Sequence, residues 1–355
     1  MVTAVALGAA LLANSPSVAR LVRVPLRINF PADGEIHQEF NGIKPGFNFN
    51  EVIPSWNIDN PGTAAIRIEL RVNTPQGKSK WYILGDWSGS KEWSPRQSTD
   101  GQKDEYANVL TDTLRVARPT DSVDLRITLK AQERYGRIAS EWPKLKLLTL
   151  CFSDTSTVHE FESWPASPNW GSLTDVPQRA QNNYPNGGVL CSATSTSMLL
   201  AHYAKVLNRP ELDHDVPEVE TNVWDPVYKG AGNWPFNTAY FGSFKGLQAC
   251  VSRFTSIEDL EILTKAGIPV ACSVSLDLLQ GKEKSKEGGH LVIVVGFEND
   301  GTPIFNDPAF KLGVRKTYKR ADFERAWCFS KRTVYLMVSE HTKFPRDVHK
   351  VWSFR

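Results

Sequence analysis

The sequence is poor in cysteine, in net charge and in long apolar runs, and each shortage excludes a class of protein. The 355 residues include 5 cysteines and no C-x-x-C pair, which argues against a zinc ribbon or a thioredoxin-like motif. The 41 basic and 39 acidic residues leave a formal net charge of +2, so charge gives no reason to expect nucleic-acid binding. Because no apolar run approaches the roughly 20 residues that cross a bilayer, we expect no membrane span.

The first residues resemble a weak secretion signal. Residues 2–13 are apolar, and Ser17, Val18 and Ala19 could serve as a small-residue cleavage site. No positive charge precedes them, since the first charged side chain is Arg20. This pattern leaves a secreted and a cytoplasmic location equally open.

Residues 21–151 show the patterning of antiparallel strands. Apolar and polar residues alternate over residues 66–72 and 125–130, as in half-buried strands. Further strands are predicted over residues 80–84, 109–116 and 145–151, with turn-rich spacers between them. The sequence therefore predicts a β-sandwich over residues 21–151, and residues 152–175 are expected to be a linker.

Residues 176–340 mix helices and strands. We predict a helix after Cys191 and another over residues 256–266, where apolar residues recur at helical spacing. Strands are predicted over residues 270–274, 291–297, 303–306 and 334–338. A helix followed by a sheet favours an α+β domain over a doubly wound one.

Cys191 is the candidate nucleophile. It follows a loop containing Gly187 and Gly188 and begins the predicted helix, whose positive dipole end favours a thiolate. The alternative is a structural cysteine at a helix start. The other four cysteines lie in less suggestive contexts and are expected to be small buried residues.

Among seven histidines, His290 is the candidate base. It opens a predicted buried strand, where an imidazole is costly unless it is paired, although a residue at a loop end is the alternative. His202 lies eleven residues after Cys191, roughly 16 Å along the helix, which is too far to take its proton. The neighbours of His214, Asp213 and Asp215, lack converging ligand spacing, so we expect neither a metal nor a cofactor.

Asp307 is the candidate residue that orients the imidazole. The strands over 291–297 and 303–306 form a predicted hairpin, so His290 and Asp307 fall at the same end. Asn306 could orient the ring instead, but alternation places Asn306 and Asp307 on opposite faces, and we favour Asp307. An oxyanion would be stabilised by the Cys191 backbone N–H and by an upstream amide. Gln178 and Gln181 both qualify, and we prefer Gln181 as the nearer.

Four segments together resemble the peptidase family of bacteriocin-leader (double-glycine) processing enzymes, and most closely its stand-alone, papain-like branch. The segments are Val176-Pro177-Gln178-Arg179-Ala180-Gln181, Cys191-Ser192-Ala193-Thr194-Ser195-Thr196-Ser197-Met198, Gly288-Gly289-His290 and Asn306-Asp307-Pro308. The resemblance covers roughly residues 170–340.

That resemblance implies a papain-like α+β fold with Cys191 as nucleophile, His290 as base, Asp307 as orienting residue and Gln181 in the oxyanion hole. The chain departs from the family in having Ser192 where a glycine usually follows the cysteine, and in a longer interval from Gln181 to Cys191. No G-x-x-x-x-G-K-[ST] motif is present, so ATP-driven export is not implied.

Residues 21–151 resemble the N-terminal region that accompanies this branch. The resemblance is carried by Pro54-Ser55-Trp56-Asn57, Lys80-Trp81-Tyr82-Ile83-Leu84-Gly85 and Thr111-Asp112-Thr113-Leu114. Trp56, Trp81, Trp87 and Trp93 could contact carbohydrate or peptide, although core packing is the favoured interpretation.

Two functions follow from these patterns. The first is a cysteine peptidase that cleaves peptide or protein substrates through an acyl-enzyme, with an acyl transferase as a sub-case. The alternative is a non-catalytic carbohydrate- or peptide-binding protein with a degenerate papain-like domain. The oligomeric state is left open.

Overall fold

The structure is a computed structural model that describes residues 19–132, 142–161, 163–286 and 289–353. The apolar segment over residues 2–13, Ser17, Val18 and Gly288 lie outside the described residues. Within the described ranges the chain is mixed α+β, and every strand pairing is antiparallel.

The described residues form seventeen strands and six α-helices, and each helix has four or more residues. The strands are β1 Ala19–Arg23, β2 Gly34–Ile43, β3 Phe49–Asp59, β4 Ala64–Thr74, β5 Gly77–Lys78, β6 Tyr82–Ser88, β7 Ala107–Leu110, β8 Thr113–Thr120, β9 Val123–Ala131, β10 Lys144–Ser153, β11 Ser172–Leu173, β12 Leu247–Arg253, β13 Val270–Ser275, β14 Gly289–Phe297, β15 Pro303–Asn306, β16 Arg315–Thr317 and β17 Thr333–Ser339. The helices are α1 Cys191–Val206, α2 Val216–Val223, α3 Trp234–Phe241, α4 Ile257–Lys265, α5 Leu276–Leu279 and α6 Arg320–Phe329.

The N-terminal half contains two antiparallel sheets. One has the strand order β1-β10-β3-β8-β7, and the other has the order β2-β9-β4-β5 with β6 also paired to β4. Alternation buries Ile66, Ile68 and Leu70 of β4, and these side chains share one core with residues of both sheets. Both sheets therefore depend on the same hydrophobic core.

The C-terminal half is built around a seven-stranded sheet with the order β12-β17-β13-β14-β15-β16, and β11 pairs with β14. Helix α1 is buried over most of its length and packs against β14. Strand β14 is nearly all buried, as its β-branched run predicts. The nucleophile candidate and the base candidate thus lie on two adjacent, rigid elements.

Most predicted elements of the two halves are confirmed, including α1, α4, β4, β9, β13, β14, β15 and β17. The single strand predicted over residues 109–116 is wrong. The chain reverses at Thr111 and Asp112, so this segment is the β7–β8 hairpin, in which Leu110 pairs with Thr113. A non-glycine residue with positive φ, Thr111 at 57°, makes this reversal, and no Gly, Pro or Asn marks a turn there in the sequence.

Side chains of β3 join the two halves. Ser55 Oγ accepts the N–H of Val251 at 2.9 Å, and Asn57 Oδ1 accepts the N–H of Ala249 at 2.8 Å. Both acceptors satisfy the backbone of β12, which is an edge strand. The buried Glu51 carboxylate also pairs with Arg253 at the end of β12.

The C-terminal tail is anchored on both halves. Trp352 is fully buried and packs against Phe254, and the Lys350 carbonyl accepts the N–H of Leu21 at 2.9 Å. The Asp347 carboxylate accepts the N–H of Trp352 at 2.8 Å. Residues 341–353 are therefore part of the folded body.

Two of the four tryptophans singled out in the sequence are core residues. Trp56 and Trp87 are buried, which confirms the core interpretation for them and removes them from any exposed binding surface. The guanidinium groups of Arg71 and Arg126 cover the Trp81 ring at 4.3 and 4.5 Å from its centroid. Carbohydrate contact through this half stays a prediction.

No helix in the described part of the chain has the length and apolar character needed to cross a bilayer.

Candidate active site

Cys191 is the first residue of helix α1. Two short 3-10 turns, Gln181–Asn183 and Gly187–Val189, precede it and fold the loop back on itself. Gly187 has no space for a side chain, because an added Cβ would lie 2.7 Å from the Gln181 carbonyl oxygen. The Cys191 side chain is half-buried, and its backbone N–H lies in the first turn, where no intrahelical acceptor exists.

His290 lies between Cys191 and Asp307. Its Nε2 atom is 2.8 Å from Asp307 Oδ1, and its ring lines the same cavity as the Cys191 thiol and interacts with it electrostatically. Since Nε2 is taken by Asp307, the nitrogen that faces the sulfur is Nδ1. The structure thus brings Cys191, His290 and Asp307 together in the order expected from the sequence.

Asp307 is fully buried and receives three hydrogen bonds. Besides His290, the Tyr318 hydroxyl donates to Oδ2 at 2.6 Å and the Ala309 N–H donates to Oδ1 at 2.9 Å. Burial raises the pKa of this carboxyl, but His290, Tyr318 and Ala309 together lower it below its ordinary value. The side chain is therefore a carboxylate that fixes the imidazole orientation.

Asn306, the alternative orienting residue, points to the other face of β15. Its Nδ2 donates to the carbonyl oxygen of Val176 at 3.0 Å, and its Oδ1 accepts a hydrogen bond from Arg315 Nε. It therefore holds the segment that leads to Gln181 and makes no hydrogen bond with His290. The strand alternation predicted from the sequence separates the two side chains as expected.

The thiol and the imidazole shift each other's pKa in opposite directions. Burial disfavours the Cys191 thiolate, but the hydrogen bond and charge of His290, with the backbone amides of Leu291 and Ser192, lower the thiol pKa. Burial also disfavours the imidazolium, yet Asp307 and Cys191 raise the pKa of His290 to about 10. These opposite shifts favour the thiolate–imidazolium form of the pair over the neutral form.

Gln181 lies in the same cavity as Cys191 and His290 and is buried. Its Nε2 donates to the carbonyl oxygen of Gly187 at 2.7 Å, which uses one of its two amide hydrogens. Its Oε1 is buried and has no protein partner. Gln178, the second amide considered, instead accepts the backbone N–H of Arg315 at 2.9 Å and does not line this cavity.

Ser192 shows how the departure from the family pattern is accommodated. The side chain is fully buried, and its hydroxyl lies 2.8 Å from the hydroxyl of Tyr335 on β17. Because this partner satisfies the hydroxyl, a serine after Cys191 leaves no unpaired polar group in the core.

The cavity at Cys191 has a volume of about 780 Å³ and is open to solvent on one side. Its walls come from both halves of the chain, including Leu110 and Asp112 of the N-terminal half. No sequence pattern pointed to this contribution, nor to Tyr318, because both depend on contacts made only in the folded chain. In the described ranges, no three His, Cys, Asp or Glu side chains converge as a metal site.

In comparison with known proteins, two family models match separate regions of the chain. Residues 41–153 match the family described as Peptidase C39 N-terminal domain, and residues 173–334 match the Peptidase C39 like family. Both matches are to Peptidase C39 models, which confirms the resemblance seen in the sequence. No curated protein sequence matches it significantly.

Among solved structures, the chain is similar to one described as a "putative C39-like peptidase" from Bacillus anthracis. The two share 17% sequence identity, with a TM-score of 0.35, over 48% of this chain and 98% of the other.

Proposed function

We propose that the chain is a cysteine peptidase that cleaves peptide or amide bonds through an acyl-enzyme. The observation that carries the proposal is the contact series Cys191–His290–Asp307 with opposite pKa shifts on the thiol and the imidazole. The match to the Peptidase C39 like family supports it independently.

In this reaction the Cys191 thiolate adds to the carbonyl carbon, and the carbonyl oxygen becomes an oxyanion. The Cys191 backbone N–H and the free amide hydrogen of Gln181 are the proposed donors to that oxyanion. His290 Nδ1–H then protonates the leaving amine as the C–N bond breaks, which leaves a thioester on Cys191. Water attacks the thioester while His290 takes its proton, and the carboxylic acid product leaves. An amine acceptor in place of water would make the same site a transferase.

We further propose a papain-like domain over residues 176–340, preceded by a β-sandwich over residues 21–151 and a connecting segment over 152–175. Two antiparallel sheets around one core support the sandwich, and a helix bearing Cys191 packed against the strand bearing His290 supports the papain-like arrangement. Peptides or proteins are the proposed substrates.

Alkylation by iodoacetamide at pH 6, followed by mass spectrometry of each cysteine, tests the proposal. Cys328 is an internal control, because it is also half-buried but burial and Glu324 raise its pKa to about 12. We expect Cys191 to react at least 100-fold faster than Cys328, since thiolate is the reacting species. Equal, slow labelling of both would instead favour a binding protein with a degenerate peptidase domain.

A peptide-library cleavage assay completes the test. Cys191→Ala and His290→Ala should each abolish cleavage while leaving the unfolding transition nearly unchanged. If Cys191→Ala cleaved the peptides at the parent rate, the activity would belong to another site.

A further inference from the structure

The tip of the β7–β8 hairpin forms one wall of the cavity that holds Cys191. Leu110, Thr111 and Asp112 all line this cavity, although they lie about eighty residues before the cysteine in the sequence. Asp112 and Cys191 both act electrostatically on Tyr228, whose pKa is raised first by burial and then by these two groups. The hairpin tip, Tyr228 and the nucleophile therefore line one cavity.

The backbone at the tip is held in a conformation that the chain does not adopt readily. Thr111 has φ of 57°, which is rare for a β-branched residue, and the N–H of Asp112 donates to the carbonyl of Leu110 at 2.7 Å. Leu110, Thr111 and Asp112 therefore form a γ-turn of the rarer, strained type, in which the central residue has positive φ. Such strain persists only where the surrounding structure holds it in place, and it is enriched at ligand-binding sites.

Asp112 fixes the strained turn in place. Its buried carboxylate accepts the backbone N–H of Trp234 at 2.9 Å, in the first turn of α3, and the Thr113 hydroxyl at 3.0 Å. The positive end of α3 adds to this attraction. The buried Asp225 carboxylate accepts the N–H of Tyr228 at 3.3 Å and the N–H of Ser98 at 3.2 Å. Buried carboxylates therefore fix both the hairpin tip and the segment that carries Tyr228.

Exposed apolar side chains concentrate at this cavity. Leu110, Val189, Tyr228 and Phe329 line it and are 40%, 51%, 50% and 43% exposed. A single exposed apolar residue needs no explanation, but four around one concave site form an apolar surface beside the nucleophile. Burying an apolar side chain of a ligand there would be favourable.

We propose that Leu110 and Tyr228 form a specificity subsite that selects peptides with a bulky apolar side chain near the scissile bond. The N-terminal half thereby determines which substrates the cysteine meets, in addition to packing on the other half. This inference rests on the proposed peptidase function.

Binding of fluorescein-labelled hexapeptides with one randomised position tests the subsite in the full-length Cys191→Ala protein, which cannot turn them over. We expect Leu, Phe and Met to be enriched over Asp and Lys at that position. Leu110→Asp should raise the Kd of the apolar peptides about tenfold. Ile36→Asp is the matched control, because Ile36 is also 40% exposed but does not line the cavity, and it should leave Kd unchanged.

Fast alkylation of Cys191 checks that Leu110→Asp, made in the parent protein, still folds. If the alkylation is lost, the milder variant Leu110→Ala takes its place, and it should raise the Kd of the apolar peptides about threefold. An unchanged amino-acid preference in the Leu110 variants, or no apolar preference in the Cys191→Ala protein, would overturn the subsite. Selective apolar binding with an inert Cys191 would overturn only the peptidase function.

Discussion

The two nitrogens of His290 have different partners, and each partner controls a different part of the predicted pH profile. Cys191, at Nδ1, sets the acid side, because activity requires the thiolate. Asp307, at Nε2, helps to set the alkaline side, because activity also requires the imidazolium that protonates the leaving amine. A substitution of Asp307 should therefore change one side more than the other.

We expect Asp307→Asn to lower kcat/KM and to move its alkaline limb to lower pH. The parent limb should fall near pH 10, where His290 loses its proton. Removing the neighbouring negative charge destabilises the imidazolium, so the pKa of His290 should fall by roughly 1–3. The measurement is kcat/KM against pH between 5 and 11.

Asp300→Asn is the control for that experiment, since Asp300 lies in the exposed turn of the same hairpin. It should reproduce the parent profile. An alkaline limb that stays near pH 10 in Asp307→Asn would show that Asp307 does not hold the imidazolium.

Gln181→Ala should lower kcat by about 10²–10³ with little change in KM, because an oxyanion donor acts chiefly in the transition state. Gln178→Ala provides a matched comparison, since its amide binds the backbone of Arg315 outside the cavity. Steady-state kinetics on one peptide substrate would suffice. A similar loss in both variants would indicate a shared structural effect in place of oxyanion stabilisation.

At this scale the sequence predicted the contacts that follow from local geometry. Strand alternation correctly separated Asp307 from Asn306, and the hairpin brought His290 to Asp307. Tyr318 could not be predicted, because its hydroxyl reaches Asp307 only after the chain turns back through β16. The assignment of Gln181 to the oxyanion hole stays a prediction.

Among the structural elements, the β7–β8 hairpin combines backbone strain with a buried charge. Burial raises the pKa of Asp112 to about 6, although hydrogen bonds from Trp234 and Thr113 oppose the shift. The folded protein thus binds this proton more tightly than the unfolded chain, whose aspartate has a pKa near 3.9. Its contribution to stability should fall as the pH rises from about 4 through 6 and should stay low above that range.

Asp112→Asn should therefore be more stable than the parent at pH 7.5, by up to roughly 3 kcal/mol, and should lose that advantage at pH 4. The amide retains an oxygen that can accept the Trp234 N–H without a buried charge. Urea unfolding at the two pH values measures the difference.

The exposed Asp100→Asn should show no such pH dependence. A variant at residue 112 that is less stable than the parent at both pH values would mean that the ionised carboxylate stabilises the hairpin by more than its burial costs.

Elements with strong local signals were predicted well, and those without them were missed. Helix α4 begins where the Ser256 N–H donates to the Asp259 carboxylate at 3.2 Å, close to the predicted start. Strand β12 and helix α3 were not predicted. Helix α3 is buried on nearly all sides, so its sequence has no amphipathic period to reveal it.

At the scale of the whole molecule, side chains of β3 join the two halves by binding the edge of β12. Asn57 accepts the Ala249 N–H at 2.8 Å and donates to the Ala249 carbonyl at 3.0 Å. Gly242 makes room for it, since an added Cβ there would lie 2.2 Å from Asn57. These partners are nearly 200 residues apart, so no local pattern could reveal this interface.

Asn57→Ala should reduce the free energy of unfolding by about 2–4 kcal/mol, because it leaves two buried backbone groups of Ala249 without partners. The variant should still unfold in one cooperative transition, with the same midpoint by tryptophan fluorescence and by far-UV circular dichroism. Asn41→Ala, at an exposed position in β2, should cost less than about 0.5 kcal/mol. Two separate transitions in the parent protein would contradict a shared interface.

The tail contact between Lys350 and Leu21 has a kinetic consequence. Closing it requires residues some 330 positions apart to meet, and the buried Trp352 completes the same assembly. Contacts of such high sequence separation slow folding, because the loop-closure entropy is lost before the contacts form. On refolding from urea, the tail should therefore reach its native packing in a late phase, after the individual sheets have formed. Trp352→Phe should lose the fluorescence change of that late phase, which identifies the step as tail packing.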